Sequence, residues 1–304
     1  DSSGVRIIMG WQVVDQANPL NLPVTPTDQA VSQMKATVKA YDHRLHDRVR
    51  AWVMPFSADY ASPELLVNAK RLADEYGTGL TLHQLNDDAS IQASLEKYGK
   101  RPLARLDELG LLNDNLLAVH MTQLTGHEIA RCAATGVQVL HSPESNLKLA
   151  SGLCPVQGLL DAGINVALGT DSVASNNDLD MIGEMRTAAF IGKIAADDAA
   201  AVSADTALAM ATINGAKALG LAESTGSITA GKQADLAAVD LSALETRPLF
   251  DPIAALVYNT SREQVTDTWV AGRALMRDRR LTTLEEADLL KRADAWAERL
   301  ARYA

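Results

Sequence analysis

The chain has 304 residues, 47% of them apolar and 4% aromatic, and a formal net charge of −10. That length allows one large domain or two ordinary ones, and the composition is that of a globular protein with an Ala/Leu/Val core rather than a disordered chain. So acidic a chain lacks the basic patch that nucleic acid or an anionic membrane surface requires, no stretch approaches the ~20 apolar residues of a membrane span, and two cysteines, Cys132 and Cys154, are too few for a disulfide framework and read as buried thiols of a reducing, cytoplasmic compartment.

The opening DSSGVRIIMGWQ has neither a basic n-region nor an apolar h-region and does not read as a signal peptide. VRIIM (5–9) is a buried-strand candidate, and TDQAVSQMKATVKAY (27–41) has helical spacing behind a Thr/Asp cap. VRAWVM (49–54) predicts a strand. SPELLVNAKRLADEYG (62–77) predicts a helix with Ser62 as N-cap, Pro63 at its first position, Glu64 in the first turn and Gly77 as the stop. LTL (80–82) is a strand ending at His83, LLAV (116–119) one ending at His120, VQVL (137–140) one ending at His141, and INVALG (164–169) one ending at Asp171. Between them lie helical stretches, and DLDMIGEMRTAAFIGKIAA and ADTALAMATINGAKALG follow as two more helices.

Buried strands alternating with helices through short loops predict a parallel sheet covered by helices. No Gly-rich phosphate turn follows an early strand, so a (β/α)8 TIM-type barrel fits better than a doubly wound sheet, and in such a barrel chemistry sits at the C-terminal strand ends. His83, His120, His141 and Asp171 fall there. Past residue 222 short β runs separated by Gly and Asp turns suggest a small β unit, closed by an amphipathic helix with a solvated charged face. The expected division is therefore 1–222 for the barrel and 223–304 for part of a small β-sandwich plus the terminal helix.

One strand-end histidine is unremarkable, but four such groups on consecutive units share one mouth. Imidazole and carboxylate suit a divalent ion, zinc first and iron or manganese as alternatives. A bound ion would offset the cost of placing Asp171 at the tip of a buried strand, and it lowers the pKa of water towards neutrality.

The blocks HSPESNLKLASG (141–152) and ALGTDSVASNNDLD (167–180), with GSITAGKQADLAAVDL further on, resemble the amidohydrolase superfamily. Within it the chain is similar to the 5-methylthioadenosine/S-adenosylhomocysteine deaminases and related chlorohydrolases. The resemblance spans essentially the whole chain, more weakly before residue 60. It implies one divalent metal held by His83 and Asp171, with Asp171 also taking a proton and His120 orienting the attacking water or polarising the substrate. Asn86, His120, His141 and Asn146 become candidate substrate contacts, Ser145 shapes its loop, and Ser175 and Asn176 are candidates to hold the carboxylate. The implied substrate is a small N-heterocycle of adenosine type, or a triazine, guanine or pterin-like ring. The implied assembly is a homo-oligomer.

Three features depart from the family's pattern. There is no His-x-His, which the family carries on its first barrel strand: the six histidines are 43, 46, 83, 120, 127 and 141, and His43 and His46 read as solvent-facing. The six countable strands match barrel units three to eight, so the chain reads as the C-terminal portion of a longer protein, with two open strand edges. Asn86 stands where the deaminases have a proton-shuttling Glu, and Asn carries no proton at neutral pH. Asp87 or Asp88 could replace it, although both read more simply as capping or loop acids. Phe56 and Ser57 stand where the deaminases have Pro-His. A catalytically incomplete or non-catalytic homologue is the competing reading. A Ser or Cys hydrolase is not, for want of a G-x-S-x-G elbow or a Cys beside a base.

Overall fold

The computed structural model describes residues 2–302. The strands and helices, in order, are β1 (Ile7–Met9), β2 (Gln12–Val13), α1 (Thr27–Tyr41), β3 (Val49–Ala51), β4 (Met54–Pro55), α2 (Pro63–Tyr76), β5 (Leu80–Gln84), α3 (Asp88–Tyr98), α4 (Pro102–Glu108), β6 (Leu116–His120), α5 (Gly126–Thr135), β7 (Gln138–His141), α6 (Pro143–Lys148), α7 (Val156–Asp161), β8 (Val166–Leu168), α8 (Met181–Ala196), α9 (Ala204–Ala211), α10 (Ile213–Ala218), β9 (Leu236–Val239), α11 (Pro252–Tyr258), β10 (Val265–Val270), β11 (Arg273–Arg277), β12 (Arg280–Leu281) and α12 (Glu286–Leu300).

β1 pairs in parallel with β3, and β2 with β4. Parallel bridges Val53–Leu80 and Ser57–His83 carry the sheet on to β5. From there β5, β6, β7 and β8 run side by side, all parallel. The result is an arc of six parallel strands wrapped by helices, the α/β barrel architecture expected from the alternation of strands and helices. Alternate residues face the helices: Leu80, Leu82, Leu116, Ala118, Val137, Val139 and Val166 belong to the main core. The other face gathers Trp52, Leu117 and Ala167, with Ile8 and Leu140 packed against them.

Among the described residues no strand pairs β1 with β8. A cavity of about 1030 Å³ opens there, lined by Ile7, Ile8, Leu168, Met185, Leu208 and Leu236 among others. Asn214 Nδ2, on α10, caps the carbonyl of Val166 on β8 at 3.1 Å. A separate antiparallel sheet has the order β12–β11–β10–β9, and α12 beyond it has no buried residue.

Local signals decide several boundaries. Ser62 accepts from Leu65 N at 3.0 Å, Pro63 opens α2, and Gly77 ends it in the left-handed conformation. Thr125 and Glu128 form a reciprocal capping box on α5. Four expectations need correction. The run expected as a buried strand over 5–9 forms only the three-residue β1, and Val5 and Ile7 are exposed. α1 has Pro26 as its N-cap, without a side-chain cap bond, because Thr27 Oγ1 donates instead to Asp15 Oδ2 at 2.8 Å. The helix expected over 204–220 breaks at Thr212, whose backbone (φ −128°, ψ −95°) turns the chain between α9 and α10. The stretch after His141, expected as loop, contains the six-residue α6 with Pro143 in its first turn.

Candidate functional site

β5 delivers His83 and β6 delivers His120, one strand apart, with Gln84 and His120 in register. β8 ends at Leu168, and Asp171 follows. One ligand atom from each of His83, His120 and Asp171 lies within 4.8 Å of the others. Sequence reasoning assigned metal ligation to His83 and Asp171; the structure adds His120 to the same group.

The supporting contacts fix what each side chain can offer. His83 Nδ1 lies 2.6 Å from the carbonyl of Phe56. A carbonyl only accepts, so Nδ1 carries a proton and Nε2 is the nitrogen turned away from Phe56. His120 Nδ1 lies 2.8 Å from Asn146 Oδ1; with that oxygen facing the ring, Nε2 is again the nitrogen turned away. Asp171 Oδ2 accepts from Ser145 Oγ and Ser175 Oγ, each at 2.6 Å, which fixes the orientation of the carboxylate. His120 Nε2 and Asp171 Oδ2 are 4.0 Å apart. Two imidazoles oriented through Nδ1 and one oriented carboxylate are nitrogen and oxygen donors of the kind that suit a divalent ion.

Electrostatics point the same way. Burial, with His83 beside it, lowers the pKa of His120 and keeps it neutral. Burial opposes the charge on Asp171, but the hydrogen bonds from Ser145 and Ser175, with His120 and His83 nearby, outweigh it and hold the carboxyl below its usual range. His120 (φ 78°) and Asp171 (φ 60°) both have left-handed backbone. Each costs of order 1 kcal/mol for a residue other than glycine, and such strain gathers at functional sites. A row of rings lies beside the group: Tyr60 on Phe56 at 5.7 Å, Phe56 on His83 at 4.5 Å, and His83 on His120 at 5.5 Å between centroids.

The remaining candidates fall in different places. Asn146 is 2% exposed and serves His120. Asn86 lies just past β5, with Nδ2 bonded to Asp87 Oδ2 at 2.9 Å, while Asp87 caps α3 by accepting from Ser90 N at 2.7 Å. His141, at the end of β7, is 1% exposed and lies near His120, but it is not one of the three groups whose ligand atoms converge. Neither of its ring nitrogens has a partner among the described residues, and burial pushes its pKa down to about 3. His43 is exposed and bonded to Asp47. Burial pushes both thiols, Cys132 and Cys154, up to about 12, which makes them inert. Sequence reasoning missed Glu184, which is fully buried behind the Asp171 loop.

This arrangement has counterparts among known proteins. The amidohydrolase family matches residues 1–275. The chain belongs to the amidohydrolase family. A 5-methylthioadenosine/S-adenosylhomocysteine deaminase of Teredinibacter turnerae is 47% identical over 228 residues, covering 75% of this chain and 52% of the relative. A 5'-deoxyadenosine deaminase of Methanosarcina mazei is 39% identical over 300 residues, covering 99% of this chain and 68% of the relative. Among solved structures, an adenosine deaminase from Xanthomonas campestris with bound zinc superposes with a TM-score of 0.91 at 42% identity, over 99% of this chain and 67% of its own. The atrazine chlorohydrolase of Arthrobacter aurescens with zinc gives 0.91 at 25% identity, over 96% and 66%. The chain thus spans from about half to about two thirds of the length of these relatives. Among the described residues no helix is long and apolar enough to cross a membrane.

Proposed function

We propose that this amidohydrolase chain supplies the strand-five, strand-six and strand-eight side of a metal-dependent active site that hydrolyses a non-peptide C–N bond, deaminating an adenosine-type small molecule. The observation that carries the reading is the convergence of His83 Nε2, His120 Nε2 and Asp171, each held in its metal-accepting form by Phe56, Asn146 or the two serines. The relatives' names supply the substrate class. The ion, zinc by analogy with the zinc-bound structures, would be held by His83 and Asp171 with His120 beside them. When bound, such an ion polarises water and lowers its pKa towards neutrality.

The chain's own residues account for the rest. The Asp171 carboxylate, held at Oδ2 by Ser145 and Ser175, accepts the proton of the attacking water. The water oxygen bonds to the ring carbon bearing the amino group, the C–N bond breaks, and ammonia leaves with the transferred proton. Neutral His120 orients the water, and the Phe56 ring offers an apolar surface against which a planar heterocycle can stack. In this reading residues 1–222 form the barrel unit and 223–304 the small-sheet unit with its helix.

A second reading is favoured by Asn86. Its amide cannot hand a proton to a leaving amine, whereas a halide departs without one, so a chloro-substituted ring is the alternative substrate. Both readings are tested by incubating the zinc-loaded chain with adenosine, S-adenosylhomocysteine and a chlorotriazine and measuring released ammonia and chloride. Ammonia from an adenosine-type compound supports the first, chloride alone the second, and neither product refutes both.

A further inference from the structure

We propose that Glu184 is a positioning residue for Asp171, a single carboxyl that locks together the loops after β7 and β8; this rests on reading the His83, His120 and Asp171 group as a metal site. Glu184 sits in the first turn of α8 and is 0% exposed. Its Oε1 accepts from Asn176 Nδ2 at 2.6 Å, and its Oε2 accepts from the backbone N of Glu144 at 3.3 Å. Asn176 follows Ser175 in the chain, and Glu144 precedes Ser145. Those two serines are the donors to Asp171 Oδ2. Each oxygen of Glu184 therefore anchors the immediate neighbour of one serine that aims the Asp171 carboxylate.

The surroundings are built for this contact. Asn176 Oδ1 accepts from Leu179 N at 2.7 Å and so closes the loop from the other side. Glu144 Oε1 accepts from Thr187 Oγ1 at 2.9 Å, one helical turn along α8. At Gly183 a Cβ would stand 3.1 Å from Glu144 Oε1, so a side chain there would crowd the carboxylate. Gly183, Glu184 and Thr187 thus form one face shaped to receive residue 144. Burial, with Glu144 close by, pushes the Glu184 carboxyl up to about 8, against the bonds from Glu144 N and Asn176 that favour its charged form. A well-packed apolar side chain would be the cheaper way to fill that space. A carboxyl there is explained by the two donors it joins.

The test compares zinc affinity, by competition with a chromophoric chelator, and the visible spectrum of the cobalt(II)-loaded chain in five proteins: wild type, Glu184→Met, Glu184→Gln, Asn176→Leu and Glu128→Gln. Glu128 is another buried carboxylate, paired with Arg101 and bonded to neither Asn176 nor Glu144, and its variant controls for general loss of stability. Removal of a group that orients a ligand costs about tenfold to a hundredfold in metal affinity. Glu184→Met and Asn176→Leu are expected to lose affinity in that range with an altered cobalt spectrum, Glu184→Gln, which keeps one accepting oxygen and sets an N–H against the other donor, to lose less than Glu184→Met, and Glu128→Gln to match wild type. The Asn176 and Gln variants keep the test decisive should Glu184→Met not fold. Wild-type affinity and spectrum in folded Glu184→Met or Asn176→Leu would overturn the role of Glu184 alone, as would an equal loss in Glu128→Gln. A wild-type chain that binds neither metal would overturn the metal reading, and this role with it.

Discussion

The Ser145 hydroxyl donates to Asp171 Oδ2 across 2.6 Å and so joins the short helix after β7 to the loop after β8. A hydrogen bond to a charged acceptor is worth about 1.5–3 kcal/mol, and here it also orients the carboxylate. Ser145→Ala should weaken zinc binding by about tenfold, read by chelator competition, and lower stability by about 1.5–3 kcal/mol, read by denaturant unfolding. Unchanged affinity would show that Ser175 alone suffices to orient the carboxylate.

Asn86 bears on the reaction itself. A positioned proton carrier is worth about a hundredfold or more in rate, and Asn86, tied to Asp87, is not one. Asn86→Glu should raise ammonia release from an adenosine-type substrate by up to about a hundredfold and leave chloride release from a chlorotriazine unchanged. Equal effects on both products would remove proton delivery at this position from the account.

Stability should respond to pH on both sides of neutrality. His141 has its folded pKa lowered to about 3 from 6.5, so the unfolded chain binds the extra proton between those values, and stability is lost as pH falls below 6.5. Glu184 has its folded pKa raised to about 8 from 4.5, so the folded chain binds the extra proton, and stability is lost as pH rises from 4.5 to 8. Between pH 4.5 and 6.5 the two contributions cancel, so denaturant unfolding across pH 3–9 should show a plateau there, loss below about 4.5 from His141 and loss from about 6.5 to 8 from Glu184, with His141→Leu flattening the acid side and Glu184→Gln the alkaline side. Slopes that persist in these variants would assign them to other groups.

Gly79 tests the barrel interior. A Cβ there would stand 2.4 Å from Cε2 of Trp52, whose rigid ring is nearly buried on the inward face. Gly79→Ala should destabilise the chain by about 1–3 kcal/mol through overpacking, measured by denaturant unfolding. A neutral effect would mean that the Trp52 ring moves freely.

Much of this was legible in the residues. Six strands, the α2 signals from Ser62 to Gly77, and the placement of His83, His120 and Asp171 at strand tips follow from apolar runs, caps and chain order. Strand alternation does not carry to the strand tips: His120 has the parity of Leu116 and Ala118 on the helix side, yet its left-handed backbone brings it into the group. The break at Thr212 was hidden because neither Gly nor Pro marks it, and packing of α9 and α10 against β8 sets it. α6 is too short to show a helical period. The roles of Asn146 and Glu184 depend on contacts between residues 26 and 40 positions apart, between His120 and Asn146 and between Glu144 and Glu184, which no local pattern encodes.

The central claim, that His83, His120 and Asp171 form a metal centre, is tested most directly by elemental analysis of the purified chain after zinc loading and removal of free metal. The account predicts about one zinc per chain in the wild type, and a large loss in His83→Ala and Asp171→Ala variants whose circular dichroism matches wild type. A metal-free wild type, or zinc that survives both substitutions undiminished, would contradict it.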